Sequence, residues 1–158
     1  MELEESQAEG PHALLSRLVG RYEGRAKLWM VPDVLDDDEP VTGEIESLHG
    51  GRFVQHTYST RIGGNDETGR ALVGCKLHEL LWQVAWIDTW HTGLEIMQLT
   101  GAYAPGTAAV DVATTYAGGE WGWRTTFSPT DDGLVVRHHN SGPDLPEYLA
   151  VELAYRRV

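Results

Sequence analysis

The chain has 158 residues, enough for one domain of ordinary size whose core needs neither disulfide nor metal to hold together. Its 12 Lys and Arg stand against 24 Asp and Glu, a formal charge of −12, which excludes recognition of nucleic acid or an anionic membrane by general electrostatics. With 41% hydrophobic and 23% charged residues it is not a disordered chain, and 18 glycines with 6 tryptophans point to many turns and broad aromatic walls.

Residues 1–10 show no periodicity and carry Glu2, Glu4, Glu5 and Glu9, which predicts a flexible acidic tail ahead of one barrel domain over 11–158. The opening lacks the basic start and apolar run of a signal peptide, and no stretch approaches the roughly 20 apolar residues of a membrane helix. Behind Pro11, the spacing of Leu14, Leu15, Leu18 and Val19 predicts a short helix ended by Gly20. From there the pattern turns β-like. Runs at Arg21–Val31, Val41–Leu48, Arg52–Ile62, Thr68–His78 and Leu80–Thr89 are followed by Leu94–Tyr103, Ala108–Tyr116, Trp121–Phe127, Leu134–His139 and Tyr148–Arg156. The separators include an acidic loop over Asp33–Pro40, Gly63-Gly64-Asn65-Asp66, Gly118-Gly119 and Asp131-Asp132-Gly133. About ten short strands at near-regular spacing predict an all-β antiparallel sandwich or barrel. Barrel closure would remove the exposed edges, and eight to ten strands leave space inside for a small ligand.

Three stretches carry a family likeness. Leu18-Val19-Gly20-Arg21-Tyr22 resembles the opening of calycin-like barrels, with Tyr22 where a tryptophan usually stands. Leu48-His49-Gly50-Gly51-Arg52-Phe53 and Trp86-Ile87-Asp88-Thr89-Trp90-His91-Thr92-Gly93 resemble hallmark segments of the bacterial domain-of-unknown-function family 1579. The likeness runs from about His12 to Arg156 and departs at Gly74-Cys75-Lys76, where that family often has Gly-Tyr-Asp. It implies a lipocalin-like (calycin) antiparallel barrel of about ten strands with a short N-terminal helix. It implies no reaction.

Trp82, Trp86 and Trp90 share one parity with Val84 and Asp88, and Trp121, Trp123 and Phe127 repeat the pattern on a later run. Trp82, Trp86, Trp121 and Trp123 are therefore the ligand-binding candidates, lining an apolar cavity; the alternative is a filled core. Asp88, set between two tryptophans, is either a desolvated carboxylate able to act as a general base or a cap on the turn completed by Gly93. His138 and His139 must point to opposite faces, so they cannot chelate one metal together. One of them could face inward, either as an axial ligand to haem or simply bonded to a neighbour. His56 shares parity with Val54 and Tyr58. Asp88, His56 and His139 are the catalytic candidates of an acid–base reading.

No histidine–cysteine spacing supports zinc, and the acidic run Asp33, Asp36, Asp37, Asp38 and Glu39 lacks the calcium-loop pattern, so no metal site is expected. Cys75, the one cysteine, reads as a small apolar filler and fits a reducing compartment. The expectation is a cytoplasmic barrel that binds a small hydrophobic or amphipathic molecule without a cofactor and without nucleic acid or membrane as partner. A homodimer is compatible with it. The rival readings are a small acid–base enzyme, a haem-binding barrel and a filled, partner-binding barrel.

Overall fold

The computed structural model describes residues 1–158. Two helices, α1 (Leu3–Glu9) and α2 (Pro11–Leu18), precede ten strands. These are β1 (Gly20–Leu28), β2 (Asp37–Leu48), β3 (Phe53–Ile62), β4 (Asn65–Lys76), β5 (Leu81–Asp88), β6 (Met97–Ala102), β7 (Val110–Tyr116), β8 (Trp121–Pro129), β9 (Gly133–Gly142) and β10 (Leu145–Arg157). Each strand pairs antiparallel with its sequence neighbour, and β10 closes on β1, so the sheet is a barrel with no free edge. The expected all-β antiparallel barrel of about ten strands is the fold observed.

Alternation along the strands supplies the interior. Val41 and Ile45 of β2, Val54 of β3, Val73 of β4, Val84 of β5 and Val136 of β9 are buried, while their sequence neighbours face outward. The β3–β4 hairpin turns on Gly63 and Gly64, both at positive φ (57° and 82°), which matches the right-handed twist of the flanking strands. Strand β10 carries two register shifts against β9, between Leu145 and Tyr148 and between Leu149 and Val151. Such bulges bend a strand and re-aim its side chains at a barrel rim.

One end of the barrel is plugged. Pro11 opens α2, where its missing N–H costs nothing, and Leu14, Leu15 and Leu18 enter the core. The carbonyls of Arg17 and Val19 accept hydrogen bonds from Arg157 Nη2 at 2.9 and 3.2 Å, a cation at the end of the helix. Tyr22 Oη donates to the Leu18 carbonyl at 2.5 Å and completes the seal.

Two sequence expectations are corrected. The residues read as an acidic tail form α1. This seven-residue helix has no apolar stripe to announce it and is held by tertiary contacts: Ser6 is fully buried, its Oγ 2.7 Å from His12 Nδ1, and Gln7 Nε2 donates to the Gly50 carbonyl at 2.7 Å. The acidic loop ends early, because Asp37, Asp38 and Glu39 pair with Leu28, Lys27 and Ala26 as the start of β2. Arg25 Nε donates to Asp38 Oδ1 at 2.8 Å, and Asp37 Oδ2 accepts from the Gly63 amide at 2.8 Å, which accommodates carboxylates in a strand.

Candidate functional site

The end opposite α2 is closed by aromatic rings instead of a helix. Inward parity on β5 and β8 brings Trp86 and Trp123 together with nearly parallel rings, centroids 5.7 Å apart. His138 of β9 lies one rung deeper, opposite Thr125, with its ring 5.0 Å from Trp86 and 5.4 Å from Trp123. His91 comes from outside the sheet, on the loop after β5. Its imidazole stacks on Trp123 at 4.0 Å and lies 5.5 Å from Trp86, while Tyr116 meets it edge-on at 5.5 Å. Trp86, Trp123, His91, His138, Tyr58 and Asp88 border a cavity of about 30 Å³. A water needs roughly 10–15 Å³, so the void holds only one or two.

Most polar atoms here are satisfied within the protein. Trp86 Nε1 donates to Tyr58 Oη at 3.2 Å, and Tyr58 fits because position 69 is glycine; a Cβ there would overlap the phenol ring. His138 Nδ1 lies 2.8 Å from Thr125 Oγ1, and His56 Nε2 lies 3.0 Å from Tyr155 Oη. Burial pushes both imidazoles down to about 3, so they are neutral at physiological pH. One group is left over: Trp123 is 3% exposed, yet its Nε1 donor has no partner. A buried donor without an acceptor is costly.

Asp88 ends β5 facing inward. Its Oδ1 accepts from the amides of His91 (2.7 Å) and Thr92 (2.6 Å), and its own amide donates to Thr92 Oγ1 at 2.8 Å. This reciprocal clasp is a cap, and it sets where the His91 loop leaves the sheet. Burial raises the Asp88 pKa against the lowering effect of those amides. Burial lowers that of His91, which the Asp88 charge partly restores.

The residues singled out from sequence are thus divided. Trp86 and Trp123 border the cavity. Trp82 is fully buried at the plugged end against Tyr103, edge to face at 5.6 Å, and is core. Trp121 stands half-buried at the rim beside Tyr116. His56 lies deeper, beside a void of about 10 Å³ shared with Tyr58, Phe127 and His138. His139 is not interior, as an acid–base role would need. It is the outward member of the His138–His139 pair, close to Arg124, Arg137, Glu147 and Asp111, and its Nδ1 is buried without a partner. Burial raises the Cys75 thiol to about 11, which leaves it a poor nucleophile. With His91 stacked in place haem has no room: both tryptophans cover His138, and 30 Å³ is far below the several hundred that a cofactor pocket requires.

A larger groove of about 890 Å³ crosses the outside of the barrel between β1–β5 and Gly93–Ile96. Its walls combine threonines and the exposed ion pair Arg21–Glu44 with the apolar side chains of Ile87, Leu94 and Ile96. Asp88 borders both spaces, but only the barrel mouth joins it to the stacked indoles of Trp86 and Trp123. His91 and Tyr58 belong to the site although the sequence reading gave them no such role. For Tyr58 the parity with His56 was the available signal; for His91, in a turn, there was none.

A closed antiparallel barrel, plugged by a helix at one end and lined with aromatic rings at the other, fits a lipocalin-like barrel. The chain belongs to the family described as "Protein of unknown function (DUF1579)", which matches residues 7–157. Among solved structures it is similar to Rv2717c from M. tuberculosis, at 13% identity and a TM-score of 0.66, over 95% of this chain and 99% of that one. That likeness concerns the fold. No curated protein sequence matches the chain. No helix is long and apolar enough to cross a membrane.

Proposed function

We propose that the barrel binds a small, planar, mostly apolar molecule at its aromatic end, against Trp86 and Trp123, when the loop bearing His91 withdraws. The observation that carries this reading is the position of His91. A ring from outside the sheet lies 4.0 Å from the indole of Trp123, in the place a flat ligand would take. Stacked aromatic pairs contribute about 0.5–1.5 kcal/mol beyond the area they bury, so a ligand that displaces the imidazole must present more surface than it does. Leu94 and Ile96, on the same loop, are largely exposed and give the withdrawn loop little to lose.

The test is titration with two flat probes, naphthalene and benzimidazole, followed by NMR of the indole N–H groups in the wild type and in His91→Ala. Saturable shifts at Trp86 and Trp123, larger in the variant at a given concentration, are the expected result. Failure of both probes to bind even the variant would remove the reading.

A further inference from the structure

The aromatic end of the barrel is negatively charged as well as flat. Three carboxylates border its cavity, those of Asp37, Glu67 and Asp88. Each accepts hydrogen bonds from neutral groups: the Gly63 amide, the Thr89 hydroxyl, and the amides of His91 and Thr92. None takes part in an ion pair, so their charges stand without a cation. The two cationic residues on the same border, Lys27 and Arg61, take outward parity beside the buried Ala26, Leu28 and Thr60. Arg61 is engaged by Asp66 at 3.5 Å and by the Gly64 carbonyl at 2.9 Å. Asp88 lies close to the place where His91 stacks. Its Oδ1 is 2.7 Å from the His91 amide, and the reach of one histidine side chain puts the imidazole centre within about 8 Å of the carboxylate. Both that ring and Tyr58 feel the charge, which favours the protonated imidazole and disfavours the tyrosinate.

We infer that the ligand is a flat aromatic cation, its charge fixed by alkylation of a ring nitrogen, lying on the face of Trp123 beside Trp86 with Asp88 as its counter-charge. The inference rests on the reading that this end binds flat molecules, and adds the chemistry that selects among them. An indole presents a negative face, and a cation within about 6 Å of its centre is attracted to it. The imidazole in that position now lies 4.0 Å away. The contact therefore uses ring faces and the field of a carboxylate, and asks for no hydrogen bond. Alkylation matters because burial lowers the pKa of His91, so a ring charged through an N–H sheds its proton there. An N-alkylated ring has no proton to lose and no N–H to leave unpaired. An anionic head group would meet three carboxylates and no inward-facing cation.

The experiment compares 1-methylquinolinium with 1-methylnaphthalene, which share a shape and differ in one ring atom and one charge. Affinities are measured on the whole chain with His91→Ala and with His91→Ala/Asp88→Asn, which keeps an oxygen for the two amides but removes the charge. In the single variant the cation is expected to bind about tenfold more tightly than the hydrocarbon. Its N-methyl proton resonance should move upfield, as a group held above an aromatic face does. Asp88→Asn should weaken the cation about tenfold and leave hydrocarbon binding in place. Three results overturn the cation inference while hydrocarbon binding leaves the flat-ligand reading standing: no preference for the cation in the single variant, a full preference that survives Asp88→Asn, or cation binding without the upfield shift. Binding of neither probe removes both. If the double variant does not fold, the two affinities and the N-methyl shift in the single variant decide.

Discussion

Acid should destabilise this protein through its two neutral interior histidines. His56 and His138 have folded-state pKa values near 3, against 6.5 for the free side chain, with burial as the leading cause in both. The unfolded chain therefore binds more protons than the folded one between those limits, and stability falls as the pH drops below about 6.5. At pH 5 an unfolded-state histidine is almost fully protonated while the folded one is not, a gap of about 1.5 pH units. At about 1.36 kcal/mol per unit this is about 2 kcal/mol for each histidine and about 4 for the pair. Typical stabilities are about 5–15 kcal/mol, so the loss is readily measured. Urea unfolding followed by tryptophan fluorescence at pH 7, 6 and 5 gives the wild-type dependence. His138→Gln retains a side chain able to bond Thr125 and should flatten the dependence by about 2 kcal/mol over that range. Parallel curves for variant and wild type would refute the assignment, as would an imidazole NMR titration of His138 with a midpoint near 6.5.

Other perturbations have equally definite outcomes. Asp88→Ala removes the acceptor for two amides and should lower stability by about 1–2 kcal/mol by thermal denaturation, whereas Asp88→Asn keeps an oxygen there and should lose less; a rise in Tm for both would show that the carboxylate is strained and not a cap. Gly69→Ala places a methyl group within the Tyr58 ring and should destabilise by about 1–3 kcal/mol, with recovery in the double variant Gly69→Ala/Tyr58→Leu if that overlap is the cause.

The barrel was legible because its evidence is repetitive. The strands alternate apolar and polar residues, every connection between strands except Leu77–Leu80 carries Gly, Asp or Pro, and ten such units leave few architectures open. The boundaries moved where charge and tertiary context outweighed pattern. Asp37–Glu39 look like loop, yet they extend β2 because Arg25 and the Gly63 amide engage their carboxylates. Leu94 looks like the start of a strand, yet β6 begins at Met97, and Leu94 lies fully exposed on the loop that bears His91. Helix α1 was invisible for the converse reason: its stabilising partners, His12 and Gly50, lie outside it.

The site was legible only as far as parity reaches. Alternation sends Trp86, Trp123, Asp88 and His138 inward, but it says the same of Trp82, which lies at the plugged end. Depth along the barrel separates them, and depth depends on register: Trp82 pairs with Gly101 and Cys75, while Asp88 pairs with Gly69 at the other end of β4. No periodicity sends His91 back over the mouth, because its path is set by a turn and not by a strand. Asp88 fixes that turn through two amide bonds, and Trp123 holds the imidazole through a stack of about 0.5–1.5 kcal/mol. Both contacts meet at His91, the first on its backbone amide and the second on its ring. A flat ligand at Trp123 would therefore compete with the ring contacts that His91 makes to Trp123, Trp86 and Tyr116, while the Asp88 clasp on the backbone need not break.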